Sequence, residues 1–297
     1  MPRVHPPLES PDLRARITDR LRARHAVVVG WVEDLLERPH ANSERLRRMR
    51  AELRRFRAEY RVWRLICPRG VVERARVLDG RISELSRRIG EVRDFDVHLQ
   101  LLGEGDARDE DDRVREHREE LTRGLGDDAR IGRELLRAYL RAERDAGLFD
   151  EIASTLAPAS GAGPGATGSS RILRELGRRT EQLAKVFRRT VRHPTTGRAH
   201  RLRVQLRRTR YLFEFLATVS GARAPRYPRR LAELQQQLGK VHDLDLLADW
   251  IEGLSADLRD ADWAKNVRRR RKAEWRRLLV ELERRSLRQV IRGLAQA

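Results

Sequence analysis

Two helical segments of this chain follow one plan, and that duplication constrains its fold more than any other feature. Residues 200–211 read HRLRVQLRRTRY and residues 47–61 read RRMRAELRRFRAEYR. At roughly 100° per residue on a helix, His200, Arg203, Arg207 and Arg210 fall within about 80° of one another, while Leu202, Leu206 and Phe213 form a seam beside them. In the earlier copy Arg47, Arg50, Arg54, Arg57 and Arg61 make the stripe, and Met49, Leu53, Phe56 and Tyr60 make the seam. The alignment sets Arg47 on His200, Arg50 on Arg203, Arg54 on Arg207 and Arg57 on Arg210. A second segment follows each copy, IGEVRDFDV at 89–97 and LGKVHDLDL at 238–246, at a repeat distance of roughly 150 residues.

The rest of the chain reads as helix in the same way, with almost no alternating β pattern, so the expected class is all-α. Residues 1–11 read as a disordered lead-in and Pro11/Asp12–Glu37 as a first helix, with Leu13, Ile17, Leu21, Val27, Val28, Trp31, Leu35 and Leu36 inward. Pro39 ends it, and Asn42 or Ser43 caps the first striped helix. A helix over 71–102 carries Val77, Ile82, Leu85, Ile89, Val92 and Leu99, and shorter ones are expected at 112–124 and 128–148. The Gly-rich GAGPGATGSS at 161–170 closes a flexible linker over 151–170. It divides a 12–150 bundle from a 171–297 bundle with helices at 170–192, 198–220, 228–254 and 256–294.

Composition narrows the partner. Lys and Arg number 65 against 45 acids, a net charge of +20, and nearly all the cations are Arg. A surplus of that size favours a polyanion or an anionic surface. Arginine forks bind phosphate oxygens in pairs and stay charged at any physiological pH. Cys67 is the single cysteine, which excludes a disulfide framework and a multi-Cys metal site. No segment has the makings of a signal peptide or a membrane span, so a cytoplasmic protein without a membrane partner is expected.

No GxxxxGK[ST], HExxH or GxSxG pattern is present. Aromatic residues make up 5%, too few to interleave the stripes with stacking platforms, and Tyr211 alone stands at their edge. Duplex binding through phosphates remains the alternative, with a metal-dependent phosphohydrolase behind it. His200 could share a metal with His242 only if their helices are neighbours, and the first copy has Arg47 and Arg93 at those positions, so no metal and no cofactor are expected. Asp94/Asp96 and Asp243/Asp245 point about 200° apart on a helix, which disfavours a paired acid–base site. Asp94 and Asp243 are instead expected to orient arginines of the basic helix.

HRLRVQLRRTRY with LQQQLGKVHDLDLL, and RRMRAELRRFRAEY with ISELSRRIGEVRDFDVHLQLL, resemble the CHAD domain, the conserved histidine α-helical domain, over about residues 12–295. That resemblance implies two antiparallel four-helix bundles related by a pseudo-twofold axis, a basic groove or pore, and non-enzymatic binding of inorganic polyphosphate, often at polyphosphate granules. It carries phosphate contact to His200, Arg203, Arg207, Arg208, Arg210 and Tyr211, to Lys240 and His242, and to Arg50, Arg54, Arg55 and Arg57. Arg93 joins them by alignment with His242. Arg47 departs from the family pattern, which has histidine there. Arg55 and Arg208 lie about 100° off their stripes.

Overall fold

The computed structural model describes residues 13–38, 43–103, 112–157, 166–220, 227–254 and 256–296. The lead-in expected over 1–11 lies outside them. The chain is all-α, and among the described residues there is no strand. In order it runs α1 (Leu13–Glu37), α2 (Ser43–Trp63), a 3-10 turn (Arg69–Val71), α3 (Val72–Gly103), α4 (Asp112–Asp145), α5 (Leu148–Thr155) and α6 (Ala166–Arg192). Then follow α7 (Thr196–Ser220), α8 (Arg229–Ile251), α9 (Ala256–Asp260), α10 (Asp262–Glu283) and α11 (Arg285–Gln296).

The helices form where apolar residues recur every three or four positions and burial rewards them. In α2, Leu46, Met49, Leu53, Phe56, Tyr60 and Trp63 are all buried, and in α7 so are Leu202 and Leu206. Pro68, extended at φ −56° and ψ 145°, separates α2 from the turn that leads into α3. Gly147 joins α4 to α5 in the left-handed region at φ 70°, a conformation that costs glycine little and any other residue more.

Four departures from the sequence reading have local causes. Val77 is 60% exposed, because the inward seam of α3 runs through Ala75, Leu78 and Ile82 instead. Val27 is likewise outside, beside buried Val28. The two helices expected at 112–124 and 128–148 are one: α4 passes straight through Gly124 and Gly126, with Leu125, Ala129, Leu136 and Leu140 buried along it. Burial here overrides the glycines' preference of about 1 kcal/mol each against helix. The helix expected over 256–294 is three, divided at extended Ala261 and Arg284.

Residues 151–155 belong to α5, whose Leu148, Phe149 and Ile152 are buried against the α1 side of the core. Residues 166–170 open α6, and the stretch 158–165 between them lies outside the described residues.

The chain divides into two compact units, each drawn from three stretches. Unit 1 comprises 1–93, 131–177 and 211–226, and unit 2 comprises 94–130, 178–210 and 227–297. The core of unit 1 is built from α1, α2, α3 and α5, with parts of α4, α6 and α7. Inside it Trp63 donates to Thr18 Oγ1 at 3.2 Å, and Arg24 holds both Glu59 and Glu52. Unit 2 has two apolar clusters. In one, α8 packs on α10 and α11 through Leu231, Leu234, Leu238, Leu278, Leu282 and Leu287. The other gathers Leu244, Leu247, Ile251, Trp263 and Val267.

No described helix is long and apolar enough to cross a membrane.

Candidate functional site

In unit 1 the leucine seam of α2 is turned into the core, which leaves its arginines along the rim of that seam. Arg57, Arg61 and Arg64 all converge on one carboxylate, Asp79 of α3. Their nitrogens lie 3.0, 3.1 and 3.0 Å from its oxygens. Asp79 is 9% exposed. Burial alone would raise its pKa, but the bond from Arg57 and the charges of Arg61 and Arg57 outweigh that and hold it below the ordinary value. Burial lowers the Arg57 pKa against the pull of Asp79, yet a guanidinium remains charged across the physiological range. One acid thus carries three cations, and the cluster keeps two positive charges in excess.

Arg50 lies flat on the backbone of α3. A Cβ built at Gly90 would meet its Nη2 at 3.0 Å and Cζ at 3.3 Å. Glycine in IGEVRD is therefore an approach point for a stripe arginine. Alanine at this position is worth about 0.5–1 kcal/mol more in helix propensity, and a guanidinium on a long side chain can yield. Gly90→Ala is expected to leave thermal stability unchanged or slightly higher while displacing Arg50. A fall of several degrees in the melting temperature would mean that Arg50 cannot move.

Arg47, at the exposed start of α2, is bonded to Glu44, with Nη2 2.7 Å from Oε1. Hydrogen bonds from Arg47 and Arg48 hold Glu44 at a pKa of about 2. Arg54 is half-buried with its Nε enclosed, and Arg93 is half-buried on α3. Arg55 is paired with Glu52 and lines a cavity of about 160 Å³ with Arg20, Arg24, Glu59, Tyr211, Glu214 and Thr218. The structure therefore brings Tyr211 to Arg55 within unit 1.

In unit 2 the second stripe stands on α7. Buried Leu202 and Leu206 fix the helix, while Arg203, Arg207 and Arg210 are half-buried and Arg208 is exposed. α8 supplies Lys240, exposed, and His242. His200 and His242 meet Nδ1 to Nδ1 at 3.3 Å, with ring centroids 4.7 Å apart and the planes tilted by 49°. α7 and α8 are therefore neighbours at this point, the condition set by the sequence for any joint role of the two histidines. One ring donates and the other accepts, so the contact holds one proton between two nitrogens. Partial burial, then the charges of Arg203 and Arg207, keep the His200 pKa below 6.5. Among the described residues no group of three or more His, Cys, Asp or Glu has the arrangement to hold a metal ion.

Asp245 of the LGKVHDLDL segment is 7% exposed and accepts from Arg271 Nε at 2.6 Å. Burial raises its pKa although Arg271 and Trp275 oppose the shift. Asp79 and Asp245 are thus buried aspartates that fix arginines, one in each unit. Asp243 is half-buried on α8, and the charge of Asp94 is felt by His98, whose ring stacks on Trp250 at 5.4 Å. Asp79 had a signal in sequence, an acid standing on the buried 75–78–82 seam of α3. Arg20 and Arg24, on the cavity wall from α1, had none.

Fold and site together define an all-helical protein with a twice-used arginine-striped helix. The family model of the CHAD domain matches residues 15–252, and the chain belongs to that family, which is linked to polyphosphate. The similar solved structures include two that match over nearly the whole chain. The CHAD domain from the plant Ricinus communis superposes with a TM-score of 0.60 at 22% identity, over 96% of this chain and 92% of that one. PptA from Streptomyces chartreusis does so with a TM-score of 0.61 at 16% identity, over 91% and 98%. At these identities the likeness is one of fold. No curated protein matches the chain in sequence.

Proposed function

We propose that this protein binds inorganic polyphosphate without turning it over, as a module that could serve at polyphosphate granules. The observation that carries the reading is the α7–α8 cluster, where the charges of Arg203 and Arg207 reach His200 of a histidine pair in direct contact, with Arg210 further along the same stripe of α7 and Lys240 two residues before His242 on α8. Arginine forks match phosphate oxygens, and the leucine seam beneath holds them at a helical pitch. Displaced counterions make such binding steeply salt-dependent.

Calorimetry with long-chain polyphosphate at two salt concentrations tests this, with duplex DNA and RNA as competitors and phosphate release followed. Tight, salt-sensitive binding that DNA does not displace, without release, is expected. Equal binding of DNA would favour a nucleic-acid backbone partner, and metal-dependent release would favour a phosphohydrolase.

The histidine pair adds a pH dependence of definite sign. Free His200 has a depressed pKa, and a neighbouring phosphate raises it, so binding takes up a proton. Affinity should rise as pH falls from about 7.5 towards 6. His200→Gln should flatten that slope. A slope unchanged in the variant would remove His200 from the site.

A further inference from the structure

Helix α10 (Asp262–Glu283) lies beyond the family match, which ends at residue 252. Two groups of its cations face different ways. On the inward side Arg268 bonds Glu252 at 2.9 Å and Arg271 bonds Asp245 at 2.6 Å. On the outward side Lys265, Arg269, Lys272 and Arg276 fall within about 60° of one another, a row spanning roughly 16 Å of helix. All four are exposed. Lys265 is paired with Asp262, but among the described residues Arg269, Lys272 and Arg276 have no acid partner. From Arg269 to Val280 the row contains no acid. Val280, 61% exposed, continues it one turn past Arg276, with Leu279 at 36% beside it.

This face differs from the α7–α8 cluster. The inner side of α10 is packed on α8 through Leu278 and Leu282, so its outer row points away from that contact. A thin single chain of phosphates gains most from a groove that contacts it on several sides. A convex, exposed helix offers contact on one side only, which suits a broad anionic sheet. The row also lacks aromatic residues for stacking on bases, while ending in an exposed aliphatic pair that a nucleic-acid backbone would not use. Cations flanked by aliphatic side chains match a layer of lipid phosphates over hydrocarbon. Such a peripheral contact needs no membrane-spanning segment.

We propose that the outer face of α10 docks on an anionic lipid bilayer, with Arg269, Lys272 and Arg276 on headgroup phosphates and Val280 entering the headgroup layer. The proposal is independent of the polyphosphate reading. Its test is co-sedimentation of the full chain with phosphatidylcholine vesicles, with and without about one-third phosphatidylglycerol, at low and physiological salt.

Wild-type protein should sediment with the anionic vesicles only. R269E/K272E/R276E should lower vesicle affinity at least about tenfold. The charge-matched control R16E/R76E/R141E, exposed in unit 1, should lower it far less. Val280→Ser, which leaves the charge alone, should weaken it several-fold. Polyphosphate calorimetry on the same variants should change by less than about twofold, which separates this site from the other. The proposal is overturned if the control variant loses vesicles as fully as the α10 variant. It is overturned equally if Val280→Ser has no effect and the α10 variant instead loses duplex DNA.

Discussion

Replacing both Arg203 and Arg207 by glutamate should weaken polyphosphate binding by about 10²–10³-fold at low salt. Two half-buried cations that remain open to solvent each contribute on the order of 1 kcal/mol towards a phosphate, and reversal of sign doubles each loss, which gives roughly 4 kcal/mol in all. Neither residue belongs to the buried seam, which is made by Leu202 and Leu206, and glutamate is a good helix former. The helix should therefore persist, as circular dichroism and thermal melting can verify. R203Q/R207Q should show about half the loss in free energy, because it removes attraction without adding repulsion.

A second readout belongs to His200 alone. Its pKa is depressed partly by these two charges, so it should rise in R203E/R207E, measurable by imidazole NMR titration of the free protein. A folded R203E/R207E variant that binds as wild type would dismiss the α7 stripe as the site.

The stripes were legible in sequence because helical period alone sets which side chains share a face. The seams of α2 and α7 are buried as Met49, Leu53, Phe56, Leu202 and Leu206 foretold. A wheel, however, fixes a face and not its neighbour. It could not show that His200 meets His242, nor that Tyr211 shares a cavity with Arg55 and with Arg20 and Arg24 of α1. It also misjudged Val77, since Leu78 one position on serves the seam equally well in pattern and better in place. The run RRRRK at 268–272 is uniformly basic in sequence. Only its packing on α8 sorts Arg268 and Arg271, which face acids, from Arg269 and Lys272, which do not.

Asp79 offers the largest stability effect, and its effect on binding should run the opposite way. Asp79→Asn removes the one charge that Arg57, Arg61 and Arg64 share. Breaking a buried pair costs about 3–5 kcal/mol. These arginines keep a quarter to a third of their side-chain surface exposed, so water takes up part of the loss and about 2–3 kcal/mol is expected at pH 7. Urea unfolding measures it. The sign with pH follows from the depressed carboxyl pKa. The contribution is complete above the unfolded-state value of about 3.9 and is lost as pH falls through the lower folded-state value. The stability gap between wild type and Asp79→Asn should therefore narrow below about pH 4. A constant gap would point to a packing defect instead. At neutral pH three arginines freed of their shared acid have more to gain from phosphates. Saturating polyphosphate should then raise the melting temperature of Asp79→Asn by more than that of wild type. An equal or smaller rise would separate the Asp79 cluster from the polyanion path and leave it as a purely structural clamp.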